Sequence, residues 1–180
     1  YLVGGITDGH WDGHVAWFDE YDPEQNTWKQ LPDAPRSRDH TQVAVINNKL
    51  YVAGGRRSDA KNKQTIARTV AEGDVYDFTT NQWATLREES NLPTLRAGTT
   101  LVALGSKLLV IGGESDTQVP AHKEVEVLDT RSKKWEKFPY LHQGRHGTQA
   151  VVMNGKVYIA AGSENRGGGA ELTSMEILEK

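Results

Sequence analysis

No cysteine occurs anywhere in the 180 residues. That removes a disulfide framework, a thiolate nucleophile and any Cys-bearing zinc site. The lack fits an exported bacterial protein as well as a cytosolic one; the location stays unknown, with a lean to export. Long apolar runs are also missing: none approaches the roughly 18 residues that a membrane-spanning helix needs. Excess positive charge is absent, with a net charge of −3 and a pI near 6.1. Nucleic acid is therefore not an expected partner. No stretch sustains an apolar pattern of 3.6-residue period, so helix content should be close to nil.

What is present is repetition. One segment recurs as 38–55, 96–113 and 145–162, each opening with Arg and a Thr three residues later. An apolar run, a two-residue turn and a Lys follow, and a second apolar run ends in glycine. The pairs are Gly54-Gly55, Gly112-Gly113 and Ala161-Gly162, and Tyr1-Leu-Val-Gly-Gly5 supplies the second half of another copy. A self-similar period of about 50 residues marks a repeat architecture.

Further along each unit stands a Trp with an Asp six residues before it: Asp22 and Trp28, Asp77 and Trp83, Asp129 and Trp135. Asp at the start of a turn bonds the amides just ahead of it. Asn26 and Asn81 tolerate a left-handed backbone near the turn's end. Two residues before each Asp is an acid, Glu20, Asp74 or Glu126, and Glu176 matches them in the last unit. Asn47-Asn48 and Asn154-Gly155 are two-residue hairpin signals between the first two strands. Each unit thus offers four short strands, A to D, in an all-β repeat fold.

These residues resemble the kelch repeat: the Arg opening strand A, the glycine pair closing strand B, the Tyr-Asp turn and the following Trp. The resemblance is to the bacterial, galactose-oxidase-like type. It implies a β-propeller in which each unit is one blade and strand A lines the central channel. Leu128 in place of the aromatic, Ala161 in place of a glycine and a longer second B–C loop depart from the pattern. The glycine pair gives strand B close approach to the neighbouring blade, and Ala161 suggests that only the second position strictly needs glycine. All three Trp are expected to pack between blades.

The chain reads as a single propeller segment of about three and a half four-stranded blades, with units 1–37, 38–95, 96–144 and 145–180. Unit one lacks strand A and unit four lacks strand D. Both ends hold strands B and C, so an open arc with exposed apolar end faces is expected. The resemblance implies that the remaining blades belong to a larger, six-bladed parent, with this segment at its C-terminal end.

The B–C loops 6–19, 56–73, 114–125 and 163–175 are long and variable, and they share one face with the D–A connections. Specificity usually resides in such loops. Arg38, Arg96 and Arg145 are placed at that end of the channel. They are candidates for an anion-binding rosette, because guanidinium forks suit bidentate anions. The same position holds ligand-binding arginines in the kelch substrate adaptors that the chain resembles. Alternatively each pairs with a repeat acid such as Asp74, or bonds backbone carbonyls of the next blade. Arg36 is expected to be merely solvated. His40 and His146 lie near the same channel mouth and join the candidate ligand contacts. Asp8-Gly-His-Trp-Asp-Gly-His14 carries residue types that can ligate a divalent cation. Its glycines favour a solvated or partner-contacting loop instead, and no metal or cofactor is assigned.

No nucleophile, base and oxyanion donor assemble in the sequence, so catalytic residues are not assigned. The expected function leans to a non-enzymatic module that binds a protein or glycan ligand, an acidic one included, through the loop face. The alternative that the resemblance implies is a carbohydrate enzyme of the sialic-acid mutarotase or epimerase kind. A relative of the copper-radical oxidases without their cofactor is the other, though those need a cysteine that this chain lacks.

Overall fold

A computed structural model describes every residue except His10 and Lys180. The described residues are strands and loops, with one short 3₁₀ turn at Glu88–Ser90. Blade one is the sheet of β1 (Leu2–Val3), β4 (Phe18–Asp22) and β5 (Thr27–Gln30). Its B–C segment, expected as a loop, adds a hairpin, β2 (Ile6–Asp8) with β3 (Asp12–His14). Blade two is β6 (Gln42–Ile46), β7 (Lys49–Ala53), β8 (Asp74–Asp77) and β9 (Gln82–Thr85). Blade three repeats it with β10 (Thr100–Leu104), β11 (Lys107–Ile111), β12 (Val125–Asp129) and β13 (Trp135–Lys137). Blade four holds β14 (Ala150–Met153), β15 (Lys156–Ala160) and β16 (Met175–Leu178). Neighbouring strands within each blade run antiparallel. Among the described residues no sheet joins the first blade to the last. The fold is a kelch β-propeller segment.

Turn chemistry sets the strand boundaries. Asn47 and Asn48 take φ of 50° and 60°, and Asn154 and Gly155 take 53° and 74°, which matches the twist of a tight hairpin. The Asp22 carboxylate accepts from the amides of Glu24 and Gln25, and Asp129 accepts from those of Arg131 and Ser132. Asn26, Asn81 and Lys133 close these turns in the left-handed region.

Packing runs between blades. Val102, Leu109, Ile111, Val125 and Val127 of blade three meet Ala150, Val157, Ile159 and Leu178 of blade four. Ala44, Ile46, Tyr51 and Ala53 of blade two meet Leu101, Leu108, Val110 and Leu128 of blade three. Trp83 packs edge-on to Phe18 of blade one, and its indole N–H donates to the Pro32 carbonyl at 2.8 Å. Trp135 packs against the blade two–three core. Trp28 departs from expectation: it is 60% exposed and stacks on Tyr21 of its own blade.

The glycine pair has a two-part reason. The second glycine's amide donates to the arginine carbonyl of the next blade: Gly5 to Arg38, Gly55 to Arg96, Gly113 to Arg145. A Cβ on Gly4, Gly54 or Gly112 would lie 2.5, 3.0 or 2.2 Å from that same carbonyl. Ala161 adopts the same left-handed φ, 57°, so in blade four this position carries a Cβ. At Gly4, Gly54 and Gly112 the closeness of that carbonyl is what excludes one.

Candidate functional site

The repeated arginines face inward. Arg38, Arg96 and Arg145 are at most 1% exposed. The Arg38 guanidinium donates to Asp74 at 2.6 Å and to the carbonyls of Gly54 and Glu72. Arg96 meets Glu126 at 2.6 Å and the carbonyls of Thr94, Val110 and Gly112. Arg145 meets Glu176 at 2.8 Å and the carbonyls of Ala161 and Ser174. Each guanidinium is spent on its own blade, and in Arg96 also on Thr94 of the connection that leads into it, so the three form no rosette in this geometry. The carbonyls they donate to do not belong to the next blade; between blades it is the arginine backbone carbonyl that makes the contact, accepting from the glycine amide of the preceding blade. Arg36 is not solvated either, since it lies 2.5 Å from Asp74. Glu20, in the blade without strand A, accepts from the Tyr1 hydroxyl at 2.9 Å.

Burial pushes the Arg38 pKa down to about 10, with Asp74 beside it pulling the other way, so it stays a cation at neutral pH. Burial would raise the Glu176 carboxyl. The amides of His142 and Gln143 and the Arg145 guanidinium outweigh that and hold it below its usual range.

The residues that break the repeat gather elsewhere. After each glycine pair the next residue changes from unit to unit: Ile6, Arg56, Glu114, Ser163. After each arginine it changes likewise: Asp39, Ala97, His146. Single backbone rungs hold these positions together, Asp39 with Arg56, Ala97 with Glu114 and His146 with Ser163. The same scaffold thus presents different side chains in each blade. Arg56, Glu114 and His146 among them converge on a cleft of about 350 Å³ on the loop face, lined also by Trp11, His40 and Ile66.

The cleft floor is a continuous polar network. Arg56, 5% exposed, donates to Glu114 at 2.6 Å and to His40 Nε2 at 3.0 Å, and lies 3.5 Å from Asp39. His40 Nδ1 contacts Asp39. Because Arg56 has only protons to offer, His40 Nε2 is the acceptor and the ring proton sits on Nδ1. From β3, His14 places Nδ1 at 2.7 Å from Asp39 and Nε2 at 2.6 Å from the Ser58 carbonyl. The second Glu114 oxygen accepts from the Gly167 amide at 2.6 Å and lies 3.7 Å from His146. Two buried carboxylates therefore share one guanidinium, and each side chain fixes the next. Above this floor Trp11 is 56% exposed at the rim.

Of the expected contacts, His40 and His146 line the cleft, whereas the three arginines lie beneath it. Asp39, Arg56 and Glu114 were missed. Their sequence signal was position: each follows directly on a repeated element yet breaks its pattern. Of the histidines in the first loop, His14 joins the floor, and His10 lies outside the described residues. No group of three or more metal-ligating side chains gathers among the described residues.

Blade three holds a further polar chain. His122 Nε2 lies 2.8 Å from the Ser115 hydroxyl and Nδ1 3.0 Å from Glu124. That is the connectivity of a nucleophile relay. Ser115 is 2% exposed, however, and also meets Thr117, so the chain ties down its loop. Burial pushes the His122 pKa below its usual value, against the pull of Glu124.

Comparison with known proteins agrees with the fold. Kelch-like protein terF of Aspergillus terreus is 32% identical over 168 residues, covering 90% of this chain and 35% of its own length. Human Kelch-like protein 15 is 27% identical over 180 residues, covering 90% of this chain and 28% of its own length. The chain thus spans about a third of these relatives. The solved structure of YjhT superposes with a TM-score of 0.73 at 17% identity, covering 90% of this chain and 49% of that one, which is a likeness of fold. Residues 1–178 match the KLHDC2/KLHL20/DRC7 Kelch-repeats domain, and the chain belongs to that family.

Proposed function

We propose that the chain is a protein-interaction module that captures a partner segment in the loop-face cleft. The observation that carries this reading is the convergence of side chains that break the repeat. Trp11, His40, Arg56, Glu114 and His146 come from four different blades and meet in one place. A buried, ion-paired floor under an exposed aromatic rim is how a rigid site combines direction with apolar area.

The ligand fits an acidic protein segment with one apolar side chain. The blade-two loop carries Arg57, Lys61, Lys63 and Arg68 against Asp59 and Glu72, in a chain whose net charge is −3. That loop also supplies Thr65 and Ile66 to the cleft wall. Such local charge steers association and sets specificity more than it adds raw affinity.

Panning a displayed random peptide library on this chain tests the reading. Recovered peptides should be enriched in Asp and Glu next to an aromatic or aliphatic residue. Their binding should fall about tenfold or more in Trp11→Ala, the typical loss for an interface anchor. Peptides that bind Trp11→Ala and Ile66→Ala as tightly as the parent chain would move the site away from this cleft.

A further inference from the structure

The imidazole of His14, at the end of β3, sits between two oxygens. Its Nε2 lies 2.6 Å from the Ser58 carbonyl and its Nδ1 2.7 Å from a carboxylate oxygen of Asp39. A carbonyl only accepts, so Nε2 carries a proton. A bare Nδ1 would set its lone pair against that of the carboxylate, so Nδ1 carries a proton as well. Asp39 itself is held as the anion, because it also faces the Arg56 guanidinium at 3.5 Å and His40 Nδ1. The ring is therefore an imidazolium. Among the described residues Asp39 is the one charged group within ion-pair distance of it. On its own hairpin, Asp8 and Asp12 stand opposite each other at the other rung.

The segments that this ring joins both reach the cleft. Trp11 lies between β2 and β3, on the hairpin that His14 ends. Ser58 belongs to the blade-two loop, where its hydroxyl donates to the Thr65 carbonyl at 3.0 Å and Asp59 pairs with Gln64 in a backbone rung. That loop brings Thr65 and Ile66 to the cleft wall. Hairpin and loop also touch where the Ala60 amide donates to the Trp11 carbonyl, at a long 3.4 Å. His14 thus fastens the Trp11 hairpin to the start of blade two on one side and to the Ile66 loop on the other.

We propose that His14 is a positioning residue for capture: a latch that holds Trp11 and Ile66 at a fixed spacing while its ring is charged, and lets go when the ring loses a proton. This role rests on the cleft being the site of capture. Imidazoles change charge between about pH 5 and 8, which fixes the direction. The latch is closed at low pH. As pH rises, Nδ1 loses its proton and faces the buried Asp39 carboxylate with a lone pair, so the contact becomes repulsive. Acidic groups on a ligand ionise near pH 4 and stay charged throughout, so they do not move with it.

Amide hydrogen exchange and peptide titration, each from about pH 5.5 to 9, test the two halves separately. In the parent chain the protection factors of the Asp59 and Gln64 amides, which bond each other's carbonyls, should fall about tenfold or more as pH rises, the weight of one charged hydrogen bond. Binding of the peptides selected on the cleft should weaken over the same interval. His14→Gln, neutral at every pH, should show the low protection and weak binding already at pH 5.5. His14→Lys, a cation throughout, should keep the loop protected with no step. Circular dichroism confirms that both variants remain folded. A parent chain without a step in exchange, or the same step in His14→Gln, would overturn the latch whatever the peptides do. A step in exchange with no change in binding would overturn its role in capture. Peptides indifferent to Trp11→Ala would instead count against the capture reading, and exchange would still decide the latch.

Discussion

The Gly98 amide donates to the His40 carbonyl across 2.7 Å, and the two residues occupy the same repeat position with the same left-handed backbone. His40 has φ of 51°, Gly98 of 62°, and Gly147 of 65° at the third equivalent position. Two blades thus use glycine where blade two places a side chain at a conformational cost. A residue held in this region costs about 1–3 kcal/mol and persists where its surroundings or its role demand it. Here the imidazole bridges Asp39 and Arg56 in the cleft floor.

His40→Gly should therefore separate stability from capture. Relief of the backbone offsets loss of the imidazole contacts, so urea unfolding should shift by less than about 1 kcal/mol. Binding of the recovered peptides should weaken markedly. A variant that loses several kcal/mol while binding normally once folded would make His40 a structural residue.

Arg96→Ala should strand Glu126, whose carboxylate faces a guanidinium that is itself fully buried. Breaking such a pair typically costs about 3–5 kcal/mol. Arg38→Ala should cost less, because Arg36 remains on the same Asp74 carboxylate. Equilibrium denaturation of the two variants gives the order directly, and equal losses would mean that Arg36 contributes nothing.

Trp83→Ala should cost about 3–5 kcal/mol, as large-to-small changes in a core do. Trp28→Ala should change stability little, since its ring is mostly in solvent. Thermal melts of the two variants distinguish the positions. A large loss for Trp28→Ala would show that its contact with Tyr21 carries stability of its own.

Acid should weaken the fold in two stages. With its folded pKa pushed down by burial, His122 contributes stability that is fully present above about pH 6.5, the unfolded value, and is lost as pH falls from there toward the folded value. Glu176 is held low as well, so its contribution is present above about pH 4.3 and disappears only at lower pH. Melting temperatures measured from pH 7.5 down to about pH 2.5 should show both stages, and His122→Gln should flatten the first alone. An unchanged first stage in that variant would assign it to another group.

Architecture was legible because it repeats. Asp22, Asn47-Asn48 and the glycine pairs each encode a local backbone shape, and their recurrence revealed four units before any contact was known. The role of Arg38, Arg96 and Arg145 was harder to read, since repetition cannot say whether a side chain points into the channel or folds back onto its own sheet. Their direction is set by the strand C acids and strand B carbonyls, a tertiary arrangement absent from any single window. Arg56, Asp39 and Glu114 were hidden for the opposite reason: they carry no motif, and only superposing the units shows them as substitutions within a constant frame. Trp28 shares the register of Trp83 and Trp135, yet register alone does not say what covers a ring, and here it stacks on Tyr21 of its own blade.

Each strand A arginine closes its own sheet through the guanidinium and clasps the preceding one through its carbonyl. Coupling of that kind is strictly nearest-neighbour, so stability should propagate along the arc as it does in linear repeat arrays. Loosening one junction should therefore be felt mainly by the two sheets it joins. Amide hydrogen exchange in an Arg96→Ala variant would then speed up first in β7 and β11, with the effect fading beyond the junctions at Arg38 and Arg145.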